Sequence, residues 1–153
     1  MNIIEFRVVP TDLYYGPGIQ IWIDGQDFIE VVRRVELPFA QAEHHRGLAG
    51  SYAGLPACAY SPPSRHFWGE GKASFADRKL KLLVCGDCGE FGCWPLLARI
   101  EVGPTQVVWS AFEQPHRRRQ GQLRAWCYDS LGPLMFDRSQ YEQALQTLEG
   151  ATQ

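Results

Sequence analysis

The amino-acid sequence predicts an α+β fold whose sheet is mainly antiparallel. Three observations carry that expectation. Strand-length apolar runs follow one another as a meander over residues 80–136, separated by turns marked with Gly and Pro. Two stretches, near residues 28–36 and over residues 138–149, repeat apolar residues at helical spacing. The regular alternation of strand and helix that builds a doubly wound sheet is missing, as are a glycine fingerprint for dinucleotides and a phosphate-binding loop.

Taken in order, Asn2–Val9 alternates apolar with polar residues and reads as a half-buried strand. Thr11–Gly18, with Pro17 inside it, reads as a loop, and Ile19–Ile23 as the next strand. Asp24-Gly25 then allows two continuations. It is a hairpin signal if Phe28–Leu37 is a strand. Alternatively, Asp27 caps a helix, with Glu30 three residues on as in a capping box. Phe28, Val31, Val32 and Val35 at helical spacing, together with Arg33, Arg34 and Glu36, favour the helix. Pro38 is expected to end or kink it, with Phe39–His45 able to add a further turn.

Residues 46–76 are rich in Gly, Pro and Ser but carry Tyr52, Leu55, Tyr60, Phe67 and Trp68, too many large apolar groups for a disordered segment. They are expected as a long ordered loop on the sheet, with room for one short strand. Leu80–Cys85, a run ending at Ile100–Val102, and Gln106–Phe112 make the first three strands of the meander. The basic connection His116–Gln122 leads to a strand expected at Arg124–Tyr128, and Gly132-Pro133 turns the chain into Leu134–Phe136. Asp137 caps the last helix with Gln140 at the third position. Tyr141, Ala144, Leu145 and Leu148 form its apolar stripe, and Gly150 is expected to stop it.

Composition narrows the function classes. A chain of 153 residues is expected as a single globular domain, 1–153, burying roughly 70% of its unfolded surface. A hydrophobic fraction of 45% and 12% aromatic residues belong to a packed protein. A formal charge of −2 gives no general attraction to nucleic acid or to an anionic membrane. No apolar stretch approaches the roughly 20 residues of a membrane span. Met1–Pro10 lacks the apolar core of a secretion signal, so a cytoplasmic location is expected. In that setting five cysteines, an odd number, read as thiols or metal ligands more than as a disulfide framework.

The sharpest constellation is Cys85-x-x-Cys88-x-x-x-x-Cys93, with Gly86, Gly89 and Gly92 between. Two thiolates across a tight glycine turn can converge on one Zn²⁺, each sulfur about 2.3 Å from the metal. A closed site needs a fourth ligand, and Cys127, Cys58, His66 and His116 are the distant candidates. The competing reading is three reduced, unliganded thiols at a hairpin end. A dithiol redox site is a third reading, weakened because glycines oppose the helix whose N-terminus would activate a thiol. Iron–sulfur ligation lacks the same fourth ligand.

Elsewhere the signals are blander. His44, His45, His66 and His116 show no nucleophile–base signature, and Ser51, Ser64 and Ser110 lie outside any nucleophile elbow. Arg117, Arg118 and Arg119 form a basic run that could meet a phosphate or an acidic partner, although such runs are more often solvated loop tips. Trp94, with Trp68, Trp109 and Trp126, could line a groove, the default being sheet-face core.

The segments CGEFGCWPLLARI, VVWSAFEQPHR, W-x-Y and LGPLMFDRSQYEQAL resemble a group of small bacterial proteins of about this length with no assigned activity. The resemblance covers residues 80–149, with a weaker echo in residues 21–36. It implies a bacterial cytoplasmic protein and transfers no catalytic residue. In that group one residue often separates the first two cysteines, where Gly86 and Asp87 stand here. The resemblance therefore implies that the first cysteine is not fixed in position, which weighs against zinc.

Together these readings lead to a non-catalytic binding or interaction protein, immunity-type or regulatory, whose partner is another protein with a basic site. The alternative is a zinc-binding protein using Cys85, Cys88 and Cys93, structural or, with a water in the fourth position beside an acid such as Glu90, hydrolytic. A thiol-redox protein comes third.

Overall fold

The computed structural model describes residues 1–71, 78–90, 92–119 and 121–153. The expected α+β architecture is present. Among the described residues eight strands, β1 (Ile4–Val9), β2 (Gly18–Ile23), β3 (Gln26–Asp27), β4 (Tyr52–Pro56), β5 (Leu80–Cys85), β6 (Leu96–Val102), β7 (Gln106–Glu113) and β8 (Leu134–Asp137), form one sheet. Its order is β1-β2-β4-β5-β6-β7-β8, with β3 paired to β2, and every ladder is antiparallel. The sheet curls until its outer strands meet. Asn2 bridges to Phe136, and the Asn2 N–H donates to the Met135 carbonyl at 2.7 Å. Such curling satisfies part of both sheet edges.

The helix α1 (Phe28–Ala42) begins where Asp27 accepts the Ile29 N–H at 3.0 Å, so the capping reading prevails over the hairpin strand. Two expectations about it need correction. Pro38 neither ends nor breaks the helix, which continues through it to Ala42. Tertiary packing outweighs the missing N–H, because Ala40 is fully buried and Phe39 stacks on Trp126. The inward stripe is Phe28, Val32, Glu36 and Ala40, with Val31 and Val35 only partly buried. A carboxylate therefore stands in the buried row of this helix.

Residues 46–71 hold more structure than a loop: a 3₁₀ turn at Arg46–Leu48, β4, the short helix α2 (Ala57–Tyr60) and a 3₁₀ turn at Arg65–Trp68. The rest of the loop expected to residue 76 lies outside the described residues. The meander β5 to β8 stands as expected, except that Arg124–Tyr128 forms no strand. Its alternation is real, since Trp126 and Tyr128 are buried and their neighbours exposed. The side chains reach Glu36 of α1 and Glu43 at its C-cap instead of a sheet partner, and the Trp126 N–H donates to the Arg117 carbonyl at 3.0 Å.

The final helix α3 (Arg138–Thr152) is capped by Asp137, which accepts the Gln140 N–H at 3.0 Å. Tyr141, Ala144, Leu145 and Leu148 are its buried stripe, as the spacing predicts. It runs past Gly150, however, because its last turn is tied down. Thr152 Oγ1 lies 2.7 Å from Ser61 Oγ, and Glu149 accepts the Ser64 N–H at 3.1 Å. Gln140 also caps β1 laterally, bonding the Ile4 N–H and carbonyl at 3.1 and 2.7 Å. Both helices contribute to one aromatic core. Trp109 meets Phe28, Phe136 and Tyr141 edge-on, and its indole N–H donates to Tyr141 Oη at 3.1 Å. Among the described residues, no helix is long and apolar enough to cross a membrane.

Candidate functional site

Strand β5 ends at Cys85, directly opposite Tyr52 of β4. The chain then makes a compact turn. The Gly86 N–H donates to the Ser51 carbonyl at 3.0 Å, and a Cβ at Gly86 would lie 3.1 Å from backbone atoms of Ser51 and Tyr52. A side chain there would force strand and turn apart by a few tenths of an ångström, which glycine avoids. The Gly89 N–H closes the turn on the Cys85 carbonyl at 2.9 Å, with Gly89 at φ +70°. The chain returns through Gly92, Cys93 and Trp94 into β6. As a result the sulfurs of Cys85, Cys88 and Cys93 all lie within 4.8 Å of one another, Cys85 buried and the other two exposed.

The electrostatics of this turn favour a shared negative charge. Burial raises the Cys85 thiol pKa, but the N–H groups of Cys88 and Asp87, and the thiols of Cys88 and Cys93, outweigh it and hold Cys85 below the usual thiol value. The hydrogen bonds of Cys93 with the thiols of Cys88 and Cys85 push it up to about 12. Cys85 is thus the sulfur that gives up its proton more readily than Cys93. A tetrahedral Zn²⁺ with bonds of about 2.3 Å places its sulfurs about 3.8 Å apart, so closure asks for movements of roughly 1 Å or less. The donor set fits a soft or borderline metal.

The structure does not bring Cys58 or Cys127 into this group; both are exposed thiols elsewhere. His66 is also committed elsewhere. Its Nε2 lies 2.6 Å from the Lys81 carbonyl, and Tyr60 and Phe67 wall its ring. His116, by contrast, touches the turn. Its Nε2 lies 2.9 Å from the Gly92 carbonyl, and its ring stacks on Trp94 with centroids 5.9 Å apart and planes at 8°.

The basic run beside His116 is divided by the fold. Arg117 donates through Nε to both Glu43 oxygens at 3.0 and 3.2 Å, and its guanidinium lies over the rings of Trp94 and Trp126 at 5.0 and 5.6 Å. The Trp126 indole donates to the same carboxylate at 2.6 Å. Arg118 pairs with Glu113, which also holds Lys79, and Arg119 is exposed. Trp94 is thus a partly buried packing residue between the cysteine turn and this ion pair. A hollow of about 410 Å³ opens beyond it, lined by Phe39, Leu123, Arg124 and Trp126 among others.

Sequence reasoning missed Glu36. Fully buried, it accepts hydrogen bonds from Tyr52 and Tyr128 hydroxyls at 2.5 Å each and from the Gly50 N–H at 2.9 Å. Burial raises its pKa, opposed by those two hydroxyls, the Gly50 N–H and the charge of Arg33. Gln114 extends the network from Tyr52 Oη to the Pro95 carbonyl, at 3.1 Å to each. A second hollow, about 480 Å³, lies over this network and is lined by Arg33, Arg46, Ser51 and Tyr52, with Gly86 and Asp87 of the cysteine turn. The only sequence signal was an acidic residue four positions from Val32 and Ala40.

Compared with models of known protein families, with curated proteins and with solved structures, the chain matches none of them.

Proposed function

We propose that this chain is a thiolate metal-binding protein that holds one Zn²⁺ with Cys85, Cys88 and Cys93 in a reducing, cytoplasmic setting. One observation carries the reading: three sulfurs within 4.8 Å of one another, on a turn whose N–H groups already stabilise charge on Cys85. A bound cation would release the remaining thiol protons and lock the β5–β6 connection. The role is binding and structural more than catalytic, because neither hollow described above is lined by a thiol.

The test is competition for zinc against a chromogenic chelator. Cys88→Ser and Cys93→Ser should each weaken binding at least about tenfold, while Cys58→Ser and Cys127→Ser leave it unchanged. Equal affinity in Cys88→Ser, or no saturable binding in the wild type, would refute the assignment.

A second reading, an interaction protein of immunity or regulatory type, draws support from the hollow at Trp126. Its rim combines Leu123, 42% exposed, with the exposed Arg124. Crosslinked capture from a bacterial lysate that is lost in Leu123→Asp would support it; capture unaffected by that change would not.

A further inference from the structure

We propose that His116 supplies the fourth ligand of this centre, an inference that rests on the thiolate reading above. Both sequence neighbours of Cys93 hold the same imidazole: Gly92 through its carbonyl at 2.9 Å and Trp94 through its ring. The backbone beneath that imidazole is tied to the same segment leading into β6. The Gln114 side chain accepts the His116 N–H at 3.1 Å and donates to the Pro95 carbonyl at 3.1 Å. His116 therefore cannot drift away from the turn that carries Cys93.

The hydrogen bond also sets the tautomer. A carbonyl can only accept, so Nε2 carries the proton, and in the neutral ring Nδ1 keeps its free lone pair. A histidine that ligates a metal usually donates its other ring N–H to a carbonyl or carboxylate, which fixes the ring and raises its basicity. That arrangement is already built on the Gly92 side. The ring lies outside the 4.8 Å group of sulfurs, so metal binding must draw it inward. Cys88, Cys93 and Gly92 are exposed and leave room for that movement. The other histidines do not compete: His66 is held by Lys81, and His44 and His45 are exposed just past the end of α1.

Coordination by three sulfurs and one imidazole has a spectroscopic signature of its own. In X-ray absorption at the zinc edge of the zinc-loaded full chain, we expect three sulfur scatterers, one nitrogen and the outer-shell pattern of an imidazole. In the Co²⁺-substituted protein, His116→Ala should shift the visible bands and weaken zinc binding by about 10–100-fold. His116→Cys should restore tight binding with a four-sulfur spectrum. Metal bound with no imidazole scattering, or a Co²⁺ spectrum unchanged in His116→Ala, overturns the assignment of His116 alone. A wild-type chain that binds no metal overturns both this assignment and the thiolate reading.

Discussion

The Glu36 carboxylate accepts the Tyr52 hydroxyl at 2.5 Å, and Tyr52 is the residue that faces Cys85 across the β4–β5 pairing. A buried acid on α1 thereby fixes the strand against which the cysteine turn is built. The Gly86 N–H and Ser51 carbonyl complete that junction. The energetics of the network and the geometry of the candidate metal site are therefore linked through one residue.

Removing a hydroxyl from this network should cost stability without unfolding the chain. Tyr128→Phe leaves the carboxylate with one donor fewer in a buried place, a loss of about 1–3 kcal/mol. Tyr52→Phe should cost at least as much, because Gln114 also loses its acceptor. Urea unfolding of the two variants measures both.

Glu36 should also leave a mark on the pH dependence of stability. Its folded pKa lies above the ordinary 4.5, so between those values the folded state holds the proton more tightly than the unfolded state. Its favourable contribution is full below pH 4.5 and declines as pH rises through the folded value. In Glu36→Gln that decline should vanish. The unfolding free energy of the wild type minus that of the variant should therefore fall as pH rises above 4.5 and level off once pH has passed the folded value.

His66 works in the opposite direction. Burial lowers its pKa below the usual 6.5, with the Lys81 carbonyl bond opposing and the Lys81 charge reinforcing the shift. Its contribution is present above pH 6.5 and is lost as pH falls through the folded value. A proton-resolved NMR titration should show the His66 imidazole titrating below 6.5.

Arg117 Nε reaches both Glu43 oxygens while its planar guanidinium lies over Trp94 and Trp126, ring contacts that a lysine ammonium would not reproduce. With side chains only 17% and 14% exposed, Arg117→Lys should cost about 1–2 kcal/mol and leave the Trp126 region looser. Chemical unfolding gives the cost, and a red shift of tryptophan emission would report the loosening.

Much of the fold was legible because the relevant residues repeat with the period of their element. Tyr141, Ala144, Leu145 and Leu148 announce α3, and Asp27 and Asp137 mark both helix starts. The cysteine turn was visible in its glycines, which have definite tasks at Gly86 and Gly89. What stayed hidden depends on contacts between distant segments. Glu36 looks like any surface acid until Tyr52 and Tyr128, 16 and 92 residues away, converge on it. Arg124–Tyr128 shows strand alternation, but its inward side chains are claimed by Glu36 of α1 and Glu43 at its C-cap. Pro38 and Gly150 are local breakers overruled by packing at Phe39 and Thr152.

The most direct test of the metal centre is zinc content of untagged protein prepared without chelator, with reactive thiols counted before and after chelation. The account predicts close to one zinc per chain and, of the five cysteines, three that react only once the metal is removed. Five thiols titrating freely on unfolding, with no metal bound, would contradict it.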